Sequence, residues 1–226
     1  MVDYIEAIKK PFQDPMTAGI GTIIGAIPVL NLGLTGFNAG MGRKVIKGDN
    51  NLPKWDPNQI GQYVKDIISI IVIQIIYMIP AIIVLAIAAA AVISTIIAAG
   101  PQILSGSGQG LITTIFASAA TGGALILVAI LLGIVGAILS SMGIFFYLKE
   151  GSIGAAFNFG AILKKVLTGT YWITLIVFFI YSLVLGFVAG LLSFIPIVNL
   201  LVFGFVAFIS GVTGYTMLGQ VFKETP

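Results

Sequence analysis

The sequence predicts an all-α fold: a polytopic helical membrane bundle of four full spans, with an N-terminal short or re-entrant helical hairpin and amphipathic interfacial helices. Three observations predict it. The 226 residues are 58% hydrophobic and only 8% charged, where a soluble domain carries about 25% charged residues; so few charges cannot coat a water-soluble particle. The mean hydropathy is +1.12. The charges are also segregated: Ile67–Leu148, 82 residues, and Val166–Phe222, 57 residues, contain no Asp, Glu, Lys or Arg, and neither does Pro15–Gly42. A spanning helix needs about 20 apolar residues, so each of the two long stretches holds two spans and a turn.

Residues 1–14 form the first element. Tyr4, Ile5, Ile8 and Phe12 recur at near-helical spacing, with Asp3, Glu6, Lys9 and Lys10 opposite, as in a helix lying in the headgroup plane. Being polar and mixed in sign, the segment does not read as a signal peptide. Residues 16–46 form the hairpin. Met16–Ile27 would reach only about 18 Å as helix, short of a hydrocarbon core of about 30 Å. Pro28 then removes an amide donor and disfavours helix at Ile27. A turn at "IPVLN" (27–31) and a second helix from about Asn31 to Ile46 follow, with crossing and re-entry both open.

Spans are expected at 67–98, 121–148, 170–194 and 199–222, within a single integral membrane domain, 1–226. "GPQILSGSGQG" (100–110) breaks the first pair and "IPIVN" (195–199) the second. Residues 111–121 either prolong the neighbouring helix or lie in the interface. Residues 151–168 carry a loose apolar face (Ile153, Ala156, Phe157, Leu163, Val166) and are expected either at the interface or as a connector folded on the bundle. In the first case Lys164 and Lys165 point towards lipid phosphate and Trp172 adds an interfacial aromatic contact.

All 11 Lys and Arg fall on one side of this threading. The excess of Lys and Arg in cytoplasmic loops therefore puts the N- and C-termini in the cytoplasm of a multi-pass cell (plasma) membrane protein.

The two pentads are related. "IPVLNLGLTGF" (27–37) and "IPIVNLLVFGF" (195–205) share six of eleven residues, Pro, Asn and Gly among them, which reads as an internal repeat of a helical hairpin. Pro28 and Pro196 suit a first helical position, where a missing amide is harmless. Asn31 and Asn199 are placed to accept a bond from a free amide at the helix start. The four residues are thus structural helix breaks and caps. Gly21/Gly25, Gly36/Gly40 and Gly186/Gly190 are GxxxG pairs, which let helix backbones approach closely.

Little chemistry is on offer. There is no cysteine and no histidine, which excludes disulfides and leaves no ordinary zinc, haem or copper ligand set. No metal, cofactor or catalytic residue is expected, and no base accompanies Ser140–Ser141. "GDNNLPKWDP" (48–57) lacks the spacing and terminal Glu of a calcium loop. A net charge of +3 is too weak and dispersed for nucleic acid. Polar groups within the spans, such as Gln74, Thr95, Ser141 and Gln220, are expected to bond back to their own helix or across to a neighbour.

Taken in order, "KKPFQDP" (9–15), "IPVLN", "RKVIKGDNNLPKWDP" (43–57), "EGSIGAAFNFGAIL" (150–163) and "IPIVN" cover most of the chain. Together they resemble the domain-of-unknown-function family 4013, multi-pass proteins of archaea and some bacteria. The resemblance implies a helical membrane fold of archaeal type and no activity. The expected role is a non-enzymatic scaffold or accessory subunit. Its partners would be membrane lipids, a second copy of the chain or other membrane proteins. The alternative is an uncoupled transporter or channel for a neutral or lipid-like solute, with its pathway between the two Pro-x-x-Asn hairpins.

Overall fold

The computed structural model describes residues 1–104, 108–192, 194 and 196–225. Among them every regular element is helical. The main helices are α1 (Tyr4–Lys9), α2 (Pro15–Ala26), α3 (Pro28–Ile46), α4 (Ile60–Leu104), α5 (Gly108–Glu150), α6 (Phe159–Val166), α7 (Gly169–Leu192) and α8 (Pro196–Glu224). Four stretches, Pro57–Pro101, Ile112–Glu150, Gly169–Leu192 and Val198–Glu224, are long and apolar enough to cross a membrane.

Local chemistry explains the boundaries. Asp3 and Asp14 cap α1 and α2, their carboxylates accepting from the Glu6 and Met16 amides, and so take up amides that a helix start leaves open. Pro28 opens α3, with Ile27 extended before it. α3 closes on Gly48 at φ 85°. The Gly48 amide bonds the Val45 carbonyl and the Asp49 amide bonds Lys44, both at 2.9 Å, which is a Schellman end that favours glycine. The first two spans exceed their expected limits. α4 gains a turn and more at its start and runs through Pro80 and Pro101, while residues 111–121 belong to α5. Of the two sequence breaks, residues 105–107 and Ile195 lie outside the described residues.

The chain, expected to be one domain, clusters into two compact units: Met1–Ile73 with Ser141–Pro226, and Gln74–Ser140. In the first, α8 packs against α1, α2, α3 and α7. The α2–α8 crossing depends on glycine: a Cβ on Gly25 would stand 2.7 Å from the Gly204 carbonyl oxygen and 2.9 Å from its Cα. Around it, Leu34, Phe37, Met41, Val45, Phe208, Ile209 and Val212 form a closed core. Trp55 stacks on Phe37 at 4.2 Å and donates its indole N–H to the Thr17 carbonyl at 3.2 Å, which ties the 49–59 loop to α2 and α3. Of the other glycines singled out, Gly21 sits under Phe208 and Gly36 against Tyr63, while Gly40 and Gly186 face open space.

In the second unit the two helices run antiparallel. Gly136 lies against the Tyr77 carbonyl, Gly133 near Ala81 and Gly122 against Val92. Their outer faces are aliphatic, with Ile82, Ile83, Leu127 and Leu131 exposed, as lipid-facing helices require. Polar groups here bond back to their own helix: Thr95 to the Ala91 carbonyl at 2.9 Å and Ser140 to Ala137 at 3.0 Å.

Candidate functional site

Two cations, Arg43 half-buried and Lys165 buried, organise the charged end of the first unit. The first is Arg43, on the last turn of α3. On α4, Tyr63, Asp66, Ile70 and Ile73 fall three, four and three residues apart and are all buried, so helical periodicity carries Asp66 inward with the core stripe. Asp66 is fully buried. Both of its oxygens accept from the Arg43 guanidinium, Oδ2 from Nη1 and Oδ1 from Nη2. Oδ1 also accepts from Gln62 Nε2 at 2.9 Å and from the Tyr147 hydroxyl at 2.8 Å. This bidentate, four-donor arrangement pairs the buried carboxylate and satisfies both of its oxygens.

Above the pair opens a groove of about 790 Å³, within the size range of small-ligand sites. Its walls carry Arg43, Lys44, Lys54 and Lys65 against a single carboxylate, Asp56. Lys44 is held at 3.1 Å by Asp49. Asp49, Asp56 and, on α2, Asp14 are turn and helix caps. Their pKa values lie below the usual carboxylate value, chiefly through bonds from Asn51, Asn58 and Thr17 respectively. Among the described residues no three His, Cys, Asp or Glu side chains are grouped to hold a metal ion.

The second cation is Lys165. The interfacial alternative for 151–168 put it at lipid phosphate; instead it is only 7% exposed, folded on the bundle. Its ammonium donates to the Phe222 and Thr225 carbonyls at 2.7 and 2.8 Å and lies 4.4 Å from the Phe222 ring centroid. The correction has a physical cause. α8 ends here with open carbonyls at its negative pole, and a lysine from α6 closes them better than water does. Burial, and next the Lys149 charge, hold its pKa below the ordinary lysine value. Beside it lies a pocket of about 540 Å³ lined by Phe146, Lys149, Asn158, Gly160, Ala161, Lys164 and Lys165. Lys164 and Trp172 are exposed.

The remaining predicted residues divide. Asn31 donates its side-chain amide to the Gly25 carbonyl at 2.9 Å. It therefore closes the end of α2, where the sequence reading had it accepting at the start of α3; the sharp turn at Ile27 brings that open carbonyl within reach. Asn199 is exposed on α8, and α8 starts at Pro196. Lys10, expected opposite the apolar face of the first element, is 1% exposed and bonds Glu6 at 2.7 Å and the Asn50 carbonyl. Ile5 and Phe12 point outward. The sequence reading missed Asp66, Tyr147, Lys149 and Trp55. For Asp66 the signal was present, in the stripe it shares with Tyr63, Ile70 and Ile73.

A family model described as a protein of unknown function, DUF4013, matches residues 20–194. The chain belongs to the DUF4013 family. The matched region of this DUF4013 protein runs from α2 to the last residues before α8, and so includes Arg43, Asp66, Tyr147, Lys149, Lys164 and Lys165. No curated protein and no solved structure matches the chain.

Proposed function

We propose that this DUF4013 protein is a non-enzymatic scaffold or accessory subunit of the cell membrane, with both termini in the cytoplasm, acting through lipids or partner proteins on its basic face. The observation that carries the reading is the state of Asp66. An ionisable group at the start of a span is a functional candidate by default, and a groove of ligand size lies over it. Yet both oxygens of its carboxylate are taken up by four donors from within the protein. What the groove offers is a cationic, shaped surface for recognition.

The transport alternative draws less support. It needs polar groups facing a pathway at both breaks, and Asn31 is engaged with Gly25. Two experiments test the proposal. Proteoliposomes should show no saturable flux of neutral solutes, and native mass spectrometry in mild detergent should show co-purifying lipid or protein; robust transport would overturn the reading. The chain lacks cysteine, so single-cysteine labelling reads orientation cleanly. Lys47→Cys should be protected from an impermeant thiol reagent in intact cells, and Phe194→Cys should react.

A further inference from the structure

Lys165 satisfies its hydrogen bonds without losing its charge. Its acceptors are backbone carbonyls and the Thr225 hydroxyl, which are neutral groups. Lys149 and Lys164 line the same pocket. Among the described residues neither has a carboxylate at ion-pair distance, and the pocket lining contains none. Lys149 is near enough to Lys165 to depress its protonation. Three lysines therefore line a pocket of about 540 Å³ whose lining contains no carboxylate.

The surroundings say where that counter-charge comes from. Phe159 and Leu163 on α6 and Leu167 at its C-terminal cap, each four residues from the next, have relative exposures of 51%, 44% and 74%. Such a stripe is stable only against an apolar phase. At about 100° per residue, Gly160 and Lys164 adjoin that stripe on the helix. An anion entering here meets ammonium groups on one side while an attached chain meets Phe and Leu on the other.

We infer that the pocket between Lys149 and Lys164 is a binding site for the phosphate headgroup of an anionic phospholipid, with the lipid chains along the exposed face of α6. Lys165 is a positioning residue: it docks α6 on the end of α8 and adds its field without reaching the surface. The inference rests on the lipid arm of the proposed function and gives it a chemical class and a place.

The test uses the full chain in an uncharged detergent, titrated with phosphatidylglycerol and with phosphatidylcholine of identical chains, lipid retained per protein being read by native mass spectrometry. The wild type should retain phosphatidylglycerol in preference. Lys149→Gln/Lys164→Gln should weaken that retention by about thirtyfold, at roughly fivefold per lysine. Lys9→Gln/Lys47→Gln removes the same charge at exposed positions elsewhere and should leave retention unchanged. All four lysines are exposed, so the variants should melt as the wild type does. Equal retention of the two lipids overturns the inference, as does equal loss in both double variants. Displacement by excess inorganic phosphate as effective as by lipid also overturns it, by making free phosphate the ligand. Saturable flux in proteoliposomes would instead remove the scaffold reading and leave the pocket standing, so the two failures are distinguishable.

Discussion

Arg43 and Lys165 are both cations drawn into the protein at the charged end of the bundle, and they are made tolerable in different ways. Arg43 meets a carboxylate. Its planar fork matches Asp66 bidentately, charge cancels charge, and Gln62 and Tyr147 complete the acceptor. Lys165 meets a helix end. Carbonyls of α8 take its protons, but a helix terminus supplies only about half an elementary charge, and Lys149 adds a like charge nearby. A closed pair serves as structure, whereas a capped but uncancelled cation remains an attractant. That difference is why the larger groove suits recognition over a locked floor and the smaller pocket calls for an anion.

The comparison can be broken most directly at Asp66. Asp66→Ala leaves Arg43 without its counter-charge and should cost about 3–5 kcal/mol, read as loss of folded protein in a detergent thermal-stability assay. Asp66→Asn with Arg43→Gln removes both charges and should recover much of that loss; no recovery would mean the pair is not the unit described. Lys165→Met comes next. It leaves two buried carbonyls and no cation, and should cost about 1–3 kcal/mol, with hydrogen exchange rising at the end of α8.

The proton dependence sharpens the same contrast. Burial holds the Lys165 pKa below 10.5 in the folded protein, so the unfolded chain binds the proton more tightly. Stability referred to Lys165→Met should therefore rise as pH climbs through that lowered value towards 10.5; a falling difference would contradict the burial argument. At the acid end the sign is the same, because there too the folded pKa values are the lower ones. Asp14, Asp49 and Asp56 titrate below 3.8, so their contribution is complete above that value and fades as pH falls through the lowered ones. These caps lie at the surface and are only partly buried, and their effect should be the smallest of the set. A melting temperature that drops well above pH 3.8 would point to another group.

Most of the fold was legible because the bilayer writes it in composition. Charge-free runs place the four spans, and "IPVLN" places the hairpin turn between α2 and α3. What the sequence hid depends on direction rather than on type. Asn31 could bond forward or back, and only the angle at Ile27 decides for Gly25. Lys164 and Lys165 are chemically alike, and the 100° between them sends one to the surface and the other under α8. Lys149 belongs to the pocket only because α5 ends beside α6. Asp66 was the readable exception: its partners required a fold, but its place in a buried stripe required only the helical period.

The length of α4 and α5 carries a consequence of its own. At 45 and 43 residues and 1.5 Å per residue, each exceeds about 60 Å, roughly twice a hydrocarbon thickness of about 30 Å. Their apolar surface does not stop where such a bilayer would. Hydrophobic mismatch of this size must be met by tilting, by bending at Pro80 or by thickening the surrounding lipid, each at a cost that grows with the excess. The helix pair therefore carries an excess of apolar length over such a bilayer, with no charged residue at 67–104 in one helix or at 108–148 in the other.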